Sequence, residues 1–467
     1  MSQEKAFFPE LLSPAGSLKN LRYAFAYGAD AVYAGQPRYS LRVRNNEFDL
    51  EKLGIGINEA HQLGKKLYVV SNIAPHNAKL KTYLDDLAPV IDLNPDALIM
   101  SDPGLIMMVR EAFPDQQIHL SVQANAVNWA TVKFWQQQGI SRVILSRELS
   151  LDEIEEIRMK VPEMELEVFV HGALCMAYSG RCLLSGYMNK RDPNQGACTN
   201  ACRWEYNAHE ATQDDAGQII ATSGASLYVP EQTAQIQEAS VQVQEPTDQL
   251  FLLQERGRPD EYMPAFEDEH GTYIMNSKDL RAIQHVERLV KMGVHSLKIE
   301  GRTKSFYYCA RTAQIYRQAI NDAVTGQRFD EGLMNRLDNL ANRGYTDGFL
   351  QRHRHVDLQN YETGNSVSEQ QQFVGEVIAT SDDTLTIEVK NRFSVGDSLE
   401  LMTPKGNVTF QLTELNDKNG HPIDVAKGSG HTVSIPCPQN IDASMGILLR
   451  NLSAGQTTRQ PHATTTA

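Results

Sequence analysis

Short strand-like runs alternate with amphipathic helical stretches through the first 325 residues of this 467-residue chain, and no other feature constrains its fold as strongly. Eight of these runs are rich in β-branched and other apolar residues and have the length of buried strands. They cover residues 10–15, 30–35, 66–72, 96–102, 118–123, 141–147, 165–172 and 295–301. Eight strand–helix units predict an α/β fold, a (β/α)8 TIM-like barrel with an insertion after strand 7, in preference to an open doubly wound sheet.

Helix-start and helix-stop signals lie between the strand-like runs. Ser17 is a predicted N-cap and Gly28 a predicted stop for the first helix. Ser150 opens a capping box, since a glutamate follows it three residues later. Apolar residues at helical spacing across 280–290 predict a further helix that ends before Gly293.

The predicted barrel domain covers residues 1–325 and is interrupted between its seventh and eighth strands. The interruption begins with a cysteine-bearing loop, 172–204, and continues as a polar stretch, 205–272. Part of that stretch is rich in Gln and Glu without a sustained period, which predicts a mobile insertion. We interpret YIMNS at 273–277 as the lead-in to the next helix rather than as a strand.

The sequence pattern changes after the barrel. Residues 326–372 predict a helical segment followed by a linker. Six short strand-like segments, broken by Gly, Asn and Asp, predict a small C-terminal all-β barrel domain over 373–453. The polar residues 454–467 are typical of a disordered tail.

Composition excludes some classes of protein. The net charge of −14 argues against a general nucleic-acid coat protein, and no apolar run approaches the 18 residues of a membrane span. The first residues lack the apolar run of a secretory signal, so we expect a cytoplasmic, reducing location. Basic side chains nevertheless outnumber acidic ones between residues 175 and 204. This local patch, with Lys190, Arg191 and Arg203, fits either a specific polyanion partner or a solvated loop.

Four of the six cysteines crowd into the loop that follows the seventh strand. They are Cys175, Cys182, Cys198 and Cys202. Gathered thiolates are ligands for a metal ion or an iron–sulfur cluster. The spacing C-x6-C-x15-C-x3-C lacks the two C-x2–4-C knuckles that are usual in zinc sites. An iron–sulfur cluster is therefore favoured, with structural zinc and ordinary free thiols as alternatives.

Polar residues at the C-terminal ends of the predicted strands are the candidates for chemistry, because active sites of such barrels lie there. The candidate substrate-binding residues after strand 2 are Arg38, Arg42 and Arg44. The candidate catalytic residues at the C-terminal ends of strands 6, 7 and 8 are Arg147, Glu148, His171, Glu300 and Arg302. Converging arginines suit an anionic substrate. The alternatives are rim salt bridges for the arginines and a hydrogen-bonded buried histidine for His171.

The run from Glu167 to Ser185, EVFVHGALCMAYSGRCLLS, resembles the signature of the collagenase-like peptidase family, E-x-F-x-x-G-[SA]-[LIVM]-C-x4-G-x-C-x-[LIVM]-S. Every fixed position of the signature is met. ELLSPAG, HSLKIEGRTKSFYY and NRGYTDGFL extend the resemblance over nearly the whole chain. Its length and its C-terminal domain are most similar to those family members that hydroxylate transfer RNA.

The resemblance implies a tRNA hydroxylase that makes 5-hydroxyuridine at the wobble position, with prephenate as co-substrate. It also implies a 4Fe–4S cluster on the four clustered cysteines, supplied by the iron–sulfur assembly machinery. The tRNA anticodon loop would be held by the basic patch and by the C-terminal domain, unless that domain only stabilises the barrel. Two other functions stay open. One is a collagenase-like peptidase with a structural metal, and the other is a tRNA-binding protein without catalysis.

Overall fold

A computed structural model describes most of the barrel, the backbone of part of the insertion and most of the C-terminal domain. The described residues are 7–36, 38–40, 47–73, 75–173, 206–213, 219–227, 250–255, 262–268, 271–274, 278–342, 344–351, 371–381, 383–438 and 441–452. The Gln-rich part of the insertion and the predicted tail lie outside these ranges. None of the helices within them has the length and apolar character needed to cross a bilayer.

Seven parallel strands alternate with six helices in the first part of the chain. The strands are β1 (Glu10–Pro14), β2 (Ala31–Gly35), β3 (Lys66–Ser71), β4 (Ala97–Met100), β5 (Ile118–Leu120), β6 (Arg142–Ile144) and β7 (Glu165–Ala173). The helices are α1 (Leu18–Ala26), α2 (Leu50–Gln62), α3 (Asn77–Ile91), α4 (Pro103–Ala112), α5 (Trp129–Gln137) and α6 (Leu151–Lys160). Each strand pairs with the next in parallel, as the sequence predicts.

The predicted caps form. The Ser17 hydroxyl accepts the amide hydrogen of Asn20 at 3.2 Å, and Ser150 makes the capping box with Glu153. Gly28 follows the end of α1 with φ of +110°, where a Cβ would lie 2.8 Å from a side-chain carbon of Arg317. Glycine is needed there for both its conformation and its lack of a side chain.

The insertion contains a five-stranded antiparallel sheet. Its strands are β8 (Tyr206–Gln213), β9 (Ile219–Leu227), β10 (Leu250–Glu255), β11 (Tyr262–Asp268) and β12 (Gly271–Ile274), in the order β12-β11-β10-β8-β9. The prediction of a mobile insertion anticipated none of these strands. The interpretation of YIMNS as a helix lead-in is wrong for Tyr273 and Ile274, which pair with Phe266 and Ala265 of β11. Antiparallel pairing with β11 across a hairpin makes these two residues part of a strand.

The eighth barrel strand follows the insertion and closes the barrel. The elements are β13 (Asp279–Arg281), a 3-10 turn at 283–285, α7 (Val286–Met292), β14 (Ser296–Ile299) and α8 (Phe306–Val324). Strand β14 pairs in parallel with both β7 and β1, which completes the predicted eight-stranded ring. The helix predicted over 280–290 begins only at Val286, and it ends at Met292, before the capping Gly293, as predicted. Leu280 lies in β13 instead, antiparallel to β7. Its side chain is buried there, as it would have been on the apolar face of a helix.

The C-terminal domain is antiparallel and all-β, as predicted. It follows α9 (Gly332–Asp338) and β15 (Tyr345–Thr346). Its strands are β16 (Gln371–Thr380), β17 (Thr384–Val389), β18 (Phe393–Ser394), β19 (Ser398–Thr403), β20 (Gly406–Gln411), β21 (Asn416–Asp417), β22 (Val425–Ala426), β23 (Thr432–Pro436) and β24 (Ile447–Asn451). Seven form one sheet in the order β20-β19-β24-β16-β17-β23-β21, and β18 pairs with β22.

The C-terminal domain packs on helices α1 and α8 of the barrel. The ring of Phe373 stacks on Tyr307 of α8 with centroids 5.4 Å apart. Met402, Ile447 and Leu449 are fully buried members of the barrel's own hydrophobic cluster. The two parts of the chain therefore share one apolar core at this contact.

Candidate functional site

The interior of the barrel holds a buried ion network made of Glu10, Arg142, Glu167 and Lys298. The Arg142 guanidinium donates to Glu10 at 2.6 Å and to Glu167 at 3.3 Å. Burial alone would raise the pKa of Glu10, but the charges of Arg142 and Lys66, together with hydrogen bonds from Arg142 and Tyr68, lower that pKa. Charged groups this deep are tolerated because each carboxylate meets a cation.

Lys298 is the member of this network that lies nearest the C-terminal ends of the strands. Its ammonium donates to Glu167 Oε1 at 2.7 Å. The same nitrogen lies 4.2 Å from the ring centroid of Tyr33 and 5.5 Å from that of Phe169. Burial lowers the pKa of Lys298, against the raising effect of the Glu167 carboxylate. Two aromatic faces and one carboxylate thus surround a buried cation.

Four residues define what we call the barrel mouth: Ser40, Arg147, Glu300 and Arg302. Arg147 lies over the ring of Phe169, 3.6 Å from its centroid, and donates from Nη2 to Glu300 Oε2 at 3.1 Å. Its Nε is buried without a hydrogen-bond partner among the described residues. Arg302 donates from Nη1 to Ser40 Oγ at 2.6 Å. The structure therefore brings together three of the predicted catalytic candidates.

Arg302 approaches the backbone of β2 closely. A Cβ on Gly35, the last residue of that strand, would overlap the Arg302 guanidinium. The Arg302 guanidinium also lies 5.9 Å from the ring centroid of Tyr33. Both mouth arginines are thus associated with an aromatic ring that also contacts Lys298. Planar guanidinium groups held this way present their donors in a fixed orientation.

The other candidates of the barrel lie apart from this cluster. The Glu148 carboxylate accepts a hydrogen bond from the Ser146 hydroxyl in the loop after β6. Arg38 forms a salt bridge with Asp86 at 2.7 Å, and its side chain is 67% exposed. This is the rim salt bridge that the sequence left open as an alternative. Arg42 and Arg44 lie outside the described residues.

His171 faces the helix layer and not the mouth. A bulge in the β7–β14 pairing, between Lys298 and Ile299, puts His171 opposite Ile299 and ends the inward alternation of β7. The imidazole is 1% exposed, and its Nδ1 lies 3.3 Å from the hydroxyl of Tyr316. Burial lowers the pKa of His171 to about 3. It is placed as a neutral, buried histidine, and the structure does not bring it together with Arg147.

The clustered cysteines and the basic patch lie outside the described residues. These are Cys175, Cys182, Cys198 and Cys202 with Lys190, Arg191 and Arg203. Among the residues the structure does describe, no group of three His, Cys, Asp or Glu side chains could hold a metal ion. Cys309 is fully buried, and burial raises the pKa of its thiol to about 12. A protonated thiol of this kind is a poor metal ligand.

Sequence reasoning missed the whole ion network, and with it Tyr33, Ser40 and Phe169, which contact the mouth arginines. A signal existed, because Glu167 and Lys298 are charged residues inside runs that were predicted to be buried strands. Strands of parallel barrels are usually near-continuous apolar runs. A charge inside such a run indicates a paired partner across the barrel.

Comparisons with known proteins place this architecture in a family. The model of peptidase family U32 matches residues 16–360, and that of the U32 C-terminal domain matches residues 369–450. Three similar proteins are each named tRNA hydroxylation protein P. The Escherichia coli protein is 68% identical over 98% of this chain and 99% of its own length. The Haemophilus influenzae protein is 64% identical over 98% of this chain and 99% of its own length. A Helicobacter pylori protein is 36% identical over 85% of this chain and 84% of its own length. This chain therefore belongs to peptidase family U32.

Proposed function

We propose that this chain is a tRNA-modifying enzyme that hydroxylates the wobble uridine of tRNA to 5-hydroxyuridine, in a prephenate-dependent reaction that uses an iron–sulfur cluster. The observation that carries the proposal is the 68% identity, over 98% of the chain, with a protein named for tRNA hydroxylation. The barrel mouth, with two arginines and a glutamate, gives the proposal a chemically suitable site.

The mouth arginines support a small dianionic co-substrate. Prephenate carries two carboxylates, and guanidinium groups bind carboxylates through two parallel hydrogen bonds. Arg147 is held by Glu300 and the ring of Phe169, and Arg302 by the Ser40 hydroxyl. In this proposal each guanidinium binds one carboxylate and orients the co-substrate toward the base.

The four clustered cysteines support the iron–sulfur cluster. Four thiolates are the donor set of a 4Fe–4S cluster, and Cys175 follows Ala173, the last residue of β7, by two positions. The seventh strand thus leads from the mouth into the cysteine-bearing loop. When bound, the cluster would supply electron-transfer chemistry to the reaction.

The RNA substrate is accessible to a barrel mouth because the wobble base is single-stranded and can be turned out of its stack. Lys190, Arg191 and Arg203 supply cations for the backbone in this proposal, and the C-terminal domain is a candidate docking surface. The peptidase alternative gains no support within the described residues. There, His171 is enclosed by tyrosine rings and Cys309 is protonated.

The test measures nucleosides and activity separately. The tRNA of a deletion strain, analysed by mass spectrometry of its nucleosides, should lack 5-hydroxyuridine and its derivatives. Returning the wild-type gene to the strain should restore them. Purified, cluster-loaded protein should then hydroxylate unmodified tRNA when prephenate is added. A deletion strain with unchanged tRNA would refute the proposal. Tight tRNA binding without turnover would favour the non-catalytic alternative, and cleavage of a protein substrate the peptidase.

A further inference from the structure

Glu167 and Lys298 are an ion pair buried in the middle of the barrel. Glu167 is 0% exposed and Lys298 is 3% exposed. In the β7–β14 pairing, Lys298 lies opposite Phe169. Barrel interiors are usually filled by branched apolar residues, and burying an ion pair gains little or no stability over an apolar pair. The position of this pair, next to the mouth, suggests what else it does.

Lys298 connects the two rings on which the mouth arginines lie. Its ammonium is 4.2 Å from the centroid of Tyr33 and 5.5 Å from that of Phe169. Arg302 lies 5.9 Å from Tyr33, and Arg147 lies 3.6 Å from Phe169. Each ring therefore has Lys298 as one cationic neighbour and a mouth arginine as another.

Both cation–ring contacts depend on the position of the ammonium. The Tyr33 ring is also held by its hydroxyl, which donates to Ile299 O at 2.9 Å. Glu167 holds the ammonium at 2.7 Å and is itself held by Arg142 at 3.3 Å. Without the Glu167 carboxylate, the buried ammonium would lose its hydrogen-bonded counter-charge, and it would move or lose its proton. Either change alters the attraction between the ammonium and both rings.

We infer that the Glu167–Lys298 ion pair is a positioning device, which sets Arg147 and Arg302 for the carboxylates of the anionic co-substrate through the rings of Phe169 and Tyr33. This inference rests on the proposed function. It also gives a reason for two fixed positions of the family signature. Glu167 binds the ammonium of Lys298, and the ring of Phe169 contacts the guanidinium of Arg147.

Glu10 provides a matched control in the same barrel. It is the second glutamate of the ion network, its side chain is 11% exposed, and it also accepts from Arg142. Its other hydrogen bonds come from the hydroxyls of Tyr68 at 2.6 Å and Ser296 at 3.0 Å. Glu10 and Ser296 are the first residues of their strands, at the end of the barrel away from the mouth. A Glu→Gln change at either position removes one negative charge of the same network.

The experiment measures prephenate binding by titration calorimetry to the full-length, cluster-loaded protein. Glu167→Gln should weaken binding about tenfold, because small displacements of binding groups are costly. Glu10→Gln should leave the dissociation constant within about twofold, although both changes lower the melting temperature. Lys298→Met is a second variant that removes the cation and should weaken binding as Glu167→Gln does.

The outcomes separate this inference from the proposed function. Unchanged prephenate affinity in Glu167→Gln or Lys298→Met overturns the inference. An equal loss in Glu10→Gln also overturns it, because the effect would then be a general perturbation of the barrel. Wild-type protein that binds prephenate but never hydroxylates tRNA refutes the proposed function, while the comparison of affinities still decides the inference. Wild-type protein that binds no prephenate overturns both.

Discussion

Replacing Arg311 with methionine should loosen the C-terminal domain from the barrel. Arg311 of α8 is 0% exposed. Its Nη1 donates to Glu400 Oε1 at 2.9 Å and its Nη2 to Gln371 Oε1 at 2.8 Å, both in the C-terminal domain. Methionine keeps much of the apolar stem and removes every donor, so the substitution isolates the contribution of the guanidinium.

The expected loss of stability depends on the hydrogen bonds that the Glu400 carboxylate retains after Arg311 is replaced. Removing one partner of a buried ion pair costs about 3–5 kcal/mol. The Glu400 carboxylate retains hydrogen bonds from Gln371 and Asn407, each at 2.7 Å, so its charge stays partly compensated. We therefore expect the lower end, about 3 kcal/mol, which is roughly a 150-fold change in the equilibrium between docked and undocked domain.

The pH dependence has a definite sign. Burial would raise the pKa of Glu400, but the charge and hydrogen bond of Arg311 lower it below the ordinary value. A depressed carboxyl pKa stabilises the folded state above the unfolded pKa, and the stabilisation is lost as pH falls through the folded pKa. The stability difference between wild type and Arg311→Met should therefore be largest near neutral pH and shrink in acid.

Two probes follow the two parts of the chain. Trp129 and Trp135 lie in α5, and the C-terminal domain contains no tryptophan, so fluorescence reports barrel unfolding. Hydrogen exchange of β16 and β19 reports the domain. In Arg311→Met, exchange there should rise under conditions that leave the fluorescence unchanged. Arg317→Met is the matched control, because Arg317 lies on the same helix and donates to Gly28 O at 2.8 Å within the barrel.

A double-mutant cycle gives the refuting result. Arg311→Met and Glu400→Gln together should cost less than the sum of the two single changes, because the second removes the charge that the first leaves unmatched. Effects that add within about 0.5 kcal/mol would show that the pair is not coupled. Unchanged exchange in β16 would equally contradict the reasoning.

Three further predictions concern the site. Cys198→Ser should lose iron and activity together, measured by metal analysis and tRNA hydroxylation, whereas Cys437→Ser should keep both, since Cys437 lies in the C-terminal domain. Arg147→Lys keeps the positive charge but loses the planar guanidinium group over Phe169, so the KM for prephenate should rise about tenfold. An unchanged KM would show that Arg147 does not bind prephenate. Gly172→Ala should lower the free energy of unfolding by about 3 kcal/mol or more, which a lower melting temperature would show. Gly172 has φ of +103°, and a Cβ there would lie 2.5 Å from the carbonyl oxygen of Glu300. A variant as stable as wild type would show that the backbone can shift at this position.

The barrel could be predicted because its signals are local. Continuous apolar runs, bounded by Gly, Asp and capping Ser residues, located all eight strands. The five strands of the insertion escaped prediction because the polar character of the Gln-rich segment between β9 and β10 was extended to the whole insertion. Strand β10, LFLLQE, is apolar, and three of the four pairings among the insertion's described residues are hairpins between consecutive strands. The remaining pairing, of β10 with β8, is non-local. Leu280 has helical spacing to its apolar neighbours, yet its pairing with Gly172 placed it in a strand.

The candidate site could be predicted only as far as strand ends indicate it. Arg147, Glu300 and Arg302 follow strands directly, and the closure of the barrel brings them together. His171 lies near the C-terminal end of a strand too, but the bulge opposite Lys298 and Ile299 turned it outward. A bulge leaves no mark in the local sequence pattern. Lys298 was missed because only residues at strand ends were considered.

The late arrival of the closing strand has a consequence for biosynthesis. Strand β14 must pair with β1 and β7, yet residues 174–295 separate it from β7. At 5–20 residues per second, the ribosome needs roughly 6–24 s to make that stretch. During this interval β1 and β7 are unpaired sheet edges, which invite association with other nascent chains. All four clustered cysteines emerge within the same interval, before the ring can close.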